Sequence, residues 1–190
     1  MRVDPARHRR QPWRVHTLAP DFELLDVWTF PIVADPAKGE TFETFFDLVW
    51  SNGLESGSRI TRFFVGLRAA MGKLFRWELD ASEHVTSVAE RLATEDRRTE
   101  TLRTSITPVR LVYRFENEAL LEIHNRTVSA LLHFSLVEVG DGRKTPELAV
   151  YVRTRGLKSR LYMALIEPFR LVAVYPQWIA HVARLWGSRR

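Results

Sequence analysis

LKSRLYMALIEPFRLVAVYPQWIAHVARLW, residues 157–186, decides the fold. Leu161, Leu165, Phe169, Val172, Tyr175 and Ile179 recur every three or four positions, which puts them on one side of a helix. Pro168 and Pro176 interrupt the same run, and each removes a backbone donor and bends or breaks a helix. Before it come three β-like stretches, 109–115, 119–139 and 147–154, in which side chains alternate between two faces. An antiparallel sheet with an apolar face needs a cover, and a bent helix wraps a curved sheet better than a straight one. The reading is an α+β chain: a curved antiparallel sheet wrapped over a long kinked C-terminal helix, with room for a small molecule between them.

The rest of the chain fits around that unit. Residues 22–32 (FELLDVWTFPI) read as a first strand, and Asp35, Pro36, Lys38 and Gly39 as a turn. A short helix follows over 41–50, with Phe42, Phe45, Phe46, Val49 and Trp50 at helical spacing. Ile60, Phe63, Phe64, Leu67, Met71, Leu74 and Phe75 predict a second helix starting at Ser58 and ending near Trp77. A polar stretch over 78–108 holds a short helix near 85–92, and Gly140–Asp141–Gly142–Arg143 has the composition of a hairpin loop.

Bulk properties narrow the function. The 190 residues fit one domain, over 15–190, preceded by a basic flexible arm at 1–14. That arm carries a net charge of +4 and the last two residues add +2, so the body is at −1 despite a total of +5. Basicity confined to the tails argues against specific nucleic-acid recognition. No cysteine is present, which excludes disulfides and thiolate sites and suits a cytoplasmic setting. No uncharged run is long enough for a membrane span.

Motif chemistry is sparse. Gly66, Gly72 and Lys73 have the wrong spacing for a phosphate loop, and no dinucleotide fingerprint exists. The six histidines show no metal-ligand spacing, so neither a metal nor a cofactor is expected. Glu122, Glu138 and Glu147 read as scattered surface acids. Over 127–137 one strand face is mixed (Thr127, Ser129, Leu131, His133, Ser135, Val137), and the other is uniformly apolar. The mixed face is therefore either solvated or pocket-lining. In the second case His133 is the best acid–base candidate, since imidazole titrates near neutrality. Arg153 and Arg155 suggest an anion grip, and Glu167 and Arg170 a pair at a cavity mouth.

Five stretches carry a family resemblance: RVHTLAPDFELLDVW (14–28), NRTV (125–128), LLHFS (131–135), AVYVRTRGL (149–157) and YMALIEPFRLVAVYP (162–176). Together they resemble a bacterial family known only as domain of unknown function 2867. The resemblance implies a helix-grip fold, the shape shared by START domains, the birch pollen allergen and polyketide aromatase/cyclases. It brings no catalytic residues. Some relatives carry an NAD(P)-binding domain that this chain lacks, so no redox activity is carried over.

The leading expectation is binding of a small apolar molecule between the sheet and the C-terminal helix. Tyr113, Ser135, Tyr151, Arg153, Tyr162, Ile166 and Arg170 would line the site and His133 would be the catalytic candidate. A cyclase-, aromatase- or dehydratase-like enzyme in the same cavity is one rival, and an interaction domain with a packed interior is another. Oligomeric state has no signature in the sequence.

Overall fold

A computed structural model describes residues 1–53, 86–103, 108–124, 128–154, 163–164, 167–168 and 170–189. The helix predicted over 58–77 lies outside these residues. Seven strands form one antiparallel sheet: β1 (Arg2–Val3), β2 (Glu23–Thr29), β3 (Thr101–Arg103), β4 (Pro108–Arg114), β5 (Glu118–His124), β6 (Val128–Gly140) and β7 (Arg143–Thr154). Their spatial order is β1-β2-β7-β6-β5-β4-β3, so β3 to β7 meander and β2 closes back onto β7. Register shifts at Leu24/Asp26, Leu111/Tyr113 and Glu138/Gly140 bend and twist the strands.

Local chemistry explains the punctuation. The β6–β7 turn places Gly140, Asp141 and Gly142 at φ 109°, 53° and 70°, values that two glycines and an aspartate tolerate best. Helix α1 covers Pro5–Arg9, α2 Arg14–Leu18 and α3 Phe42–Leu48. Thr41 and Thr44 form a reciprocal capping box that starts α3. The last helix, α4, spans Tyr175–Gly187 and is preceded by a π-helical turn at Arg170–Val174. Pro176 thus sits in the first turn of α4, where its missing N–H is no loss, and the irregular turn falls before it. No helix among the described residues is long and apolar enough to cross a membrane.

Both faces of the sheet are buried. On one face Val109, Leu111, Leu121, Phe134, Leu148 and Val150 pack with Phe42, Phe45 and Phe46 of α3 and Ile179, Val182 and Trp186 of α4. On the other, Val112, Leu120, Leu131, Ala149 and Tyr151 pack with Val15 and Leu18 of α2, Phe22, and Val88 to Leu92.

The second cluster changes the reading of the N-terminus. Residues 1–14, expected as a flexible solvated arm, instead supply β1, which pairs with β2, and α1, whose His8 is buried. The sheet face that includes this side of β6 carries Leu120, Leu131, Ala149 and Tyr151, and folding a short arginine-rich segment over it removes that apolar surface from water. Two of the segment's arginines pair with buried acids: Arg2 with Asp26 at 3.0 Å and Arg7 with Glu147 at 3.2 Å.

Candidate functional site

Strand parity puts Glu118 and Glu122 of β5, Ser129, His133 and Ser135 of β6, and Glu147 and Tyr151 of β7 on the face covered by the N-terminal segment. All are buried there. Glu118 is the hub. Its Oε2 accepts from the Tyr113 hydroxyl at 2.8 Å and lies 2.7 Å from His133 Nε2. The Arg14 backbone N–H, at the start of α2, donates to both its oxygens at 3.0 and 3.2 Å. Burial alone would raise the Glu118 carboxyl, but the hydrogen bonds from His133, Arg14 and Tyr113 outweigh it and hold Glu118 below the ordinary value. Burial pushes His133 down, against the pull of Glu118, so the pair is a neutral imidazole donating Nε2–H to a carboxylate. The Tyr113 hydroxyl is pushed well up by burial and by the neighbouring Glu118 charge.

A second chain of hydrogen bonds runs beside it. His16 Nε2 is 3.2 Å from the His8 carbonyl, so it carries the proton and leaves Nδ1 as an acceptor. Tyr151 therefore donates its hydroxyl to His16 Nδ1 at 3.2 Å and accepts from His8 Nε2–H at 3.0 Å. The His8 ring lies 5.1 Å from that of His133 and 5.3 Å from that of His16. Burial first, then these two imidazoles, pushes His8 down to about 2. Trp13 closes the cluster, its ring 5.6 Å from His133.

This interior is under-satisfied. His8 Nδ1, Trp13 Nε1, His133 Nδ1 and Ser135 Oγ are buried without a hydrogen-bond partner among the described residues. Among the described residues Glu147 has one ion pair, with Arg7, and burial raises its carboxyl despite that arginine. Glu122 is better served, by the Ser87 hydroxyl and by the Val88 N–H at 2.9 Å. At the rim Asp21 clamps Arg91 and Arg153 together, and Arg153 also lies over the Phe22 ring.

The opposite face holds a smaller polar group. Asp26, buried on β2, pairs with Arg170 at 2.8 Å and Arg2 at 3.0 Å. Burial raises its carboxyl, and the two arginines pull it back. Trp28 Nε1 and Arg170 Nε are buried there without hydrogen-bond partners among the described residues. On this same face a cleft of about 690 Å³ opens between the start of α3, strand β4 with the turn that follows it, Leu136 of β6 and Lys144 of β7. Phe42, Leu111 and Leu136 form its apolar floor, and Glu43, Arg98, Arg114 and Lys144 stand at its rim. Among the described residues no three His, Cys, Asp or Glu side chains are arranged to hold a metal ion.

The residues predicted from sequence therefore divide. His133, Tyr113, Ser135 and Tyr151 share one face, under α1 and α2 and away from α4. Arg153 belongs to the Asp21 clamp at their edge, and Arg170 lies on the other face, paired with Asp26. Tyr162 and Ile166 lie outside the described residues. Glu122 and Glu147, read as surface acids, are buried, whereas Glu138 is exposed. Sequence reasoning missed Glu118, His8 and His16. Only Glu118 left a signal, because it shares parity with Leu120 and Glu122 one residue before the predicted strand.

A β-sheet with a helical layer on each face and a buried carboxylate–imidazole–phenol array is the class this structure defines. The family model described as protein of unknown function DUF2867 matches residues 18–177, and the chain belongs to that family. No curated protein and no solved structure matches it.

Proposed function

We propose that the chain binds a small, largely apolar molecule on the face of the sheet covered by α3 and α4, in a helix-grip arrangement. The observation that carries this reading is the cleft of about 690 Å³ whose floor (Phe42, Leu111, Leu136) is continuous with the core beneath both helices. Its size and its apolar floor under a charged rim are those of a small-molecule site. The strand order, with β2 beside β7 and a terminal helix across the face, is the order a helix grip needs. An amphipathic ligand satisfies both parts of the cleft: a hydrocarbon or ring body on the floor, and a polar group toward Arg98 and Lys144. Native mass spectrometry of freshly purified protein tests it. A retained molecule, or a thermal upshift with alkyl or aromatic carboxylates that Leu111→Trp weakens, is the expected result. The absence of both across such a panel overturns the reading.

A second reading is favoured by one contact, the 2.7 Å approach of His133 to Glu118. A neutral imidazole held by a carboxylate, with a phenol on the same oxygen, is suited to proton transfer. The cyclase- or dehydratase-like rival then belongs under the N-terminal segment. Product formation lost in a folded His133→Ala variant supports it, and unchanged turnover removes it.

A further inference from the structure

The cover over the His133 face is a short N-terminal segment built from one strand and two helices. Its strand β1 is two residues long and α1 and α2 are five each; it is held by the Arg14 N–H on Glu118, by the Met1 amine on the Thr29 carbonyl, by the ion pairs Arg2–Asp26 and Arg7–Glu147, and by His8 on Tyr151. The chain beyond it is fixed independently, because Asp21 is clamped by Arg91 and Arg153. Residues 1–19 thus end at a fixed point, where Arg91 also holds the Leu18 carbonyl, and have a seam of imidazoles beneath them.

We propose that residues 1–19 form a proton-released cover: acidification protonates His8 at the seam and lifts the segment, opening the His133–Glu118–Tyr113 array to solvent. The seam has no good place for a cation at His8. From β7 it faces Tyr151, which already bridges it to His16 of α2. From β6 it faces the ring of His133, itself a base. The acids nearby are committed: Glu118 of β5 to His133, to Tyr113 of β4 and to the Arg14 N–H, and Glu147 of β7 to Arg7. Arg9, on the same helix as His8, adds positive charge toward Tyr151. A protonated His8 therefore gains little in the covered state and full hydration in the open one.

The sign follows from linkage. The open state binds a proton that the covered state refuses, so the cover is at full strength above about pH 6.5 and weakens below it. One histidine that is neutral when covered and ordinary when free shifts the opening equilibrium about 30-fold between about pH 7.5 and 5.0.

Hydrogen-exchange mass spectrometry of the full chain at these two pH values, corrected for intrinsic exchange, is the test. Protection over residues 1–19 should fall about 30-fold at the lower pH while residues 131–134 of β6 keep theirs. His8→Gln retains an N–H for Tyr151 but cannot titrate, and should cancel most of the fall. A cover whose protection does not change with pH, or that opens only together with β6, overturns the proposal. So does a full acid response in His8→Gln. If that variant does not fold, the comparison of 1–19 with 131–134 in the native chain decides alone. The outcome is independent of whatever binds on the opposite face.

Discussion

Glu118 organises more of this protein than any residue singled out from the sequence. It accepts from Tyr113, His133 and Arg14 while buried, so removing it strands three donors. Glu118→Ala should destabilise by about 3 kcal/mol in urea titration, whereas Tyr113→Phe, which loses one hydrogen bond, should cost about 1 kcal/mol. Equal effects would mean that the carboxylate is not the hub. Asp26 is tested differently, because it is one partner of a buried pair. Asp26→Ala leaves Arg170 uncompensated and should cost about 3 kcal/mol, while a joint Asp26→Leu and Arg170→Met replacement should recover most of it. His133 was legible because it interrupts an alternating strand. His8 was not, because a histidine among arginines near a terminus has no periodic context to mark it as buried.

The β6–β7 hairpin is the best example of an element readable from local chemistry. Its glycines stand where the backbone turns left-handed, and the alternation on either side sets its register. Gly140→Ala should cost about 1–2 kcal/mol, read as a lower thermal midpoint, since φ of 109° strains any Cβ-bearing residue although nothing crowds the site. Helix α3 was equally plain from its aromatic spacing. Phe45 is fully buried against Phe30 and Trp186, and Phe45→Ala should destabilise by about 3–5 kcal/mol in the same assay. The C-terminal region was legible in part. Two prolines announced a break, but only packing selects a π-helical turn at 170–174 that brings Arg170 to Asp26.

For the whole molecule, the buried histidines set the acid response. His8 is neutral when folded and titrates near 6.5 when unfolded, so stability is complete above that value and lost as pH falls through it. The loss from this one residue is about 2 kcal/mol between about pH 7.5 and 5.0, measurable by denaturant titration at each pH. Asp26 and Glu147 act in the opposite direction, because burial raises both: each weakens the fold as pH rises through its raised value. A stability curve that does not fall below pH 6.5, or that falls identically in His8→Gln, would contradict this assignment.

Hydrophobic periodicity, turn glycines and strand alternation are nearest-neighbour properties, so the amino-acid order by itself determined the meander, its hairpin, α3 and the two distinct faces of β6. Which layer covers which face is a long-range decision. Once α3 and α4 occupy the apolar side, the other side of the sheet still carries Leu120, Leu131 and Tyr151, and the first nineteen residues are the piece of chain that supplies Val15 and Leu18 to close it. Tertiary structure alone placed His8 beside His133 and drew Glu118 beneath Arg14, because burial and hydrogen bonding between residues far apart in sequence leave no trace in local pattern.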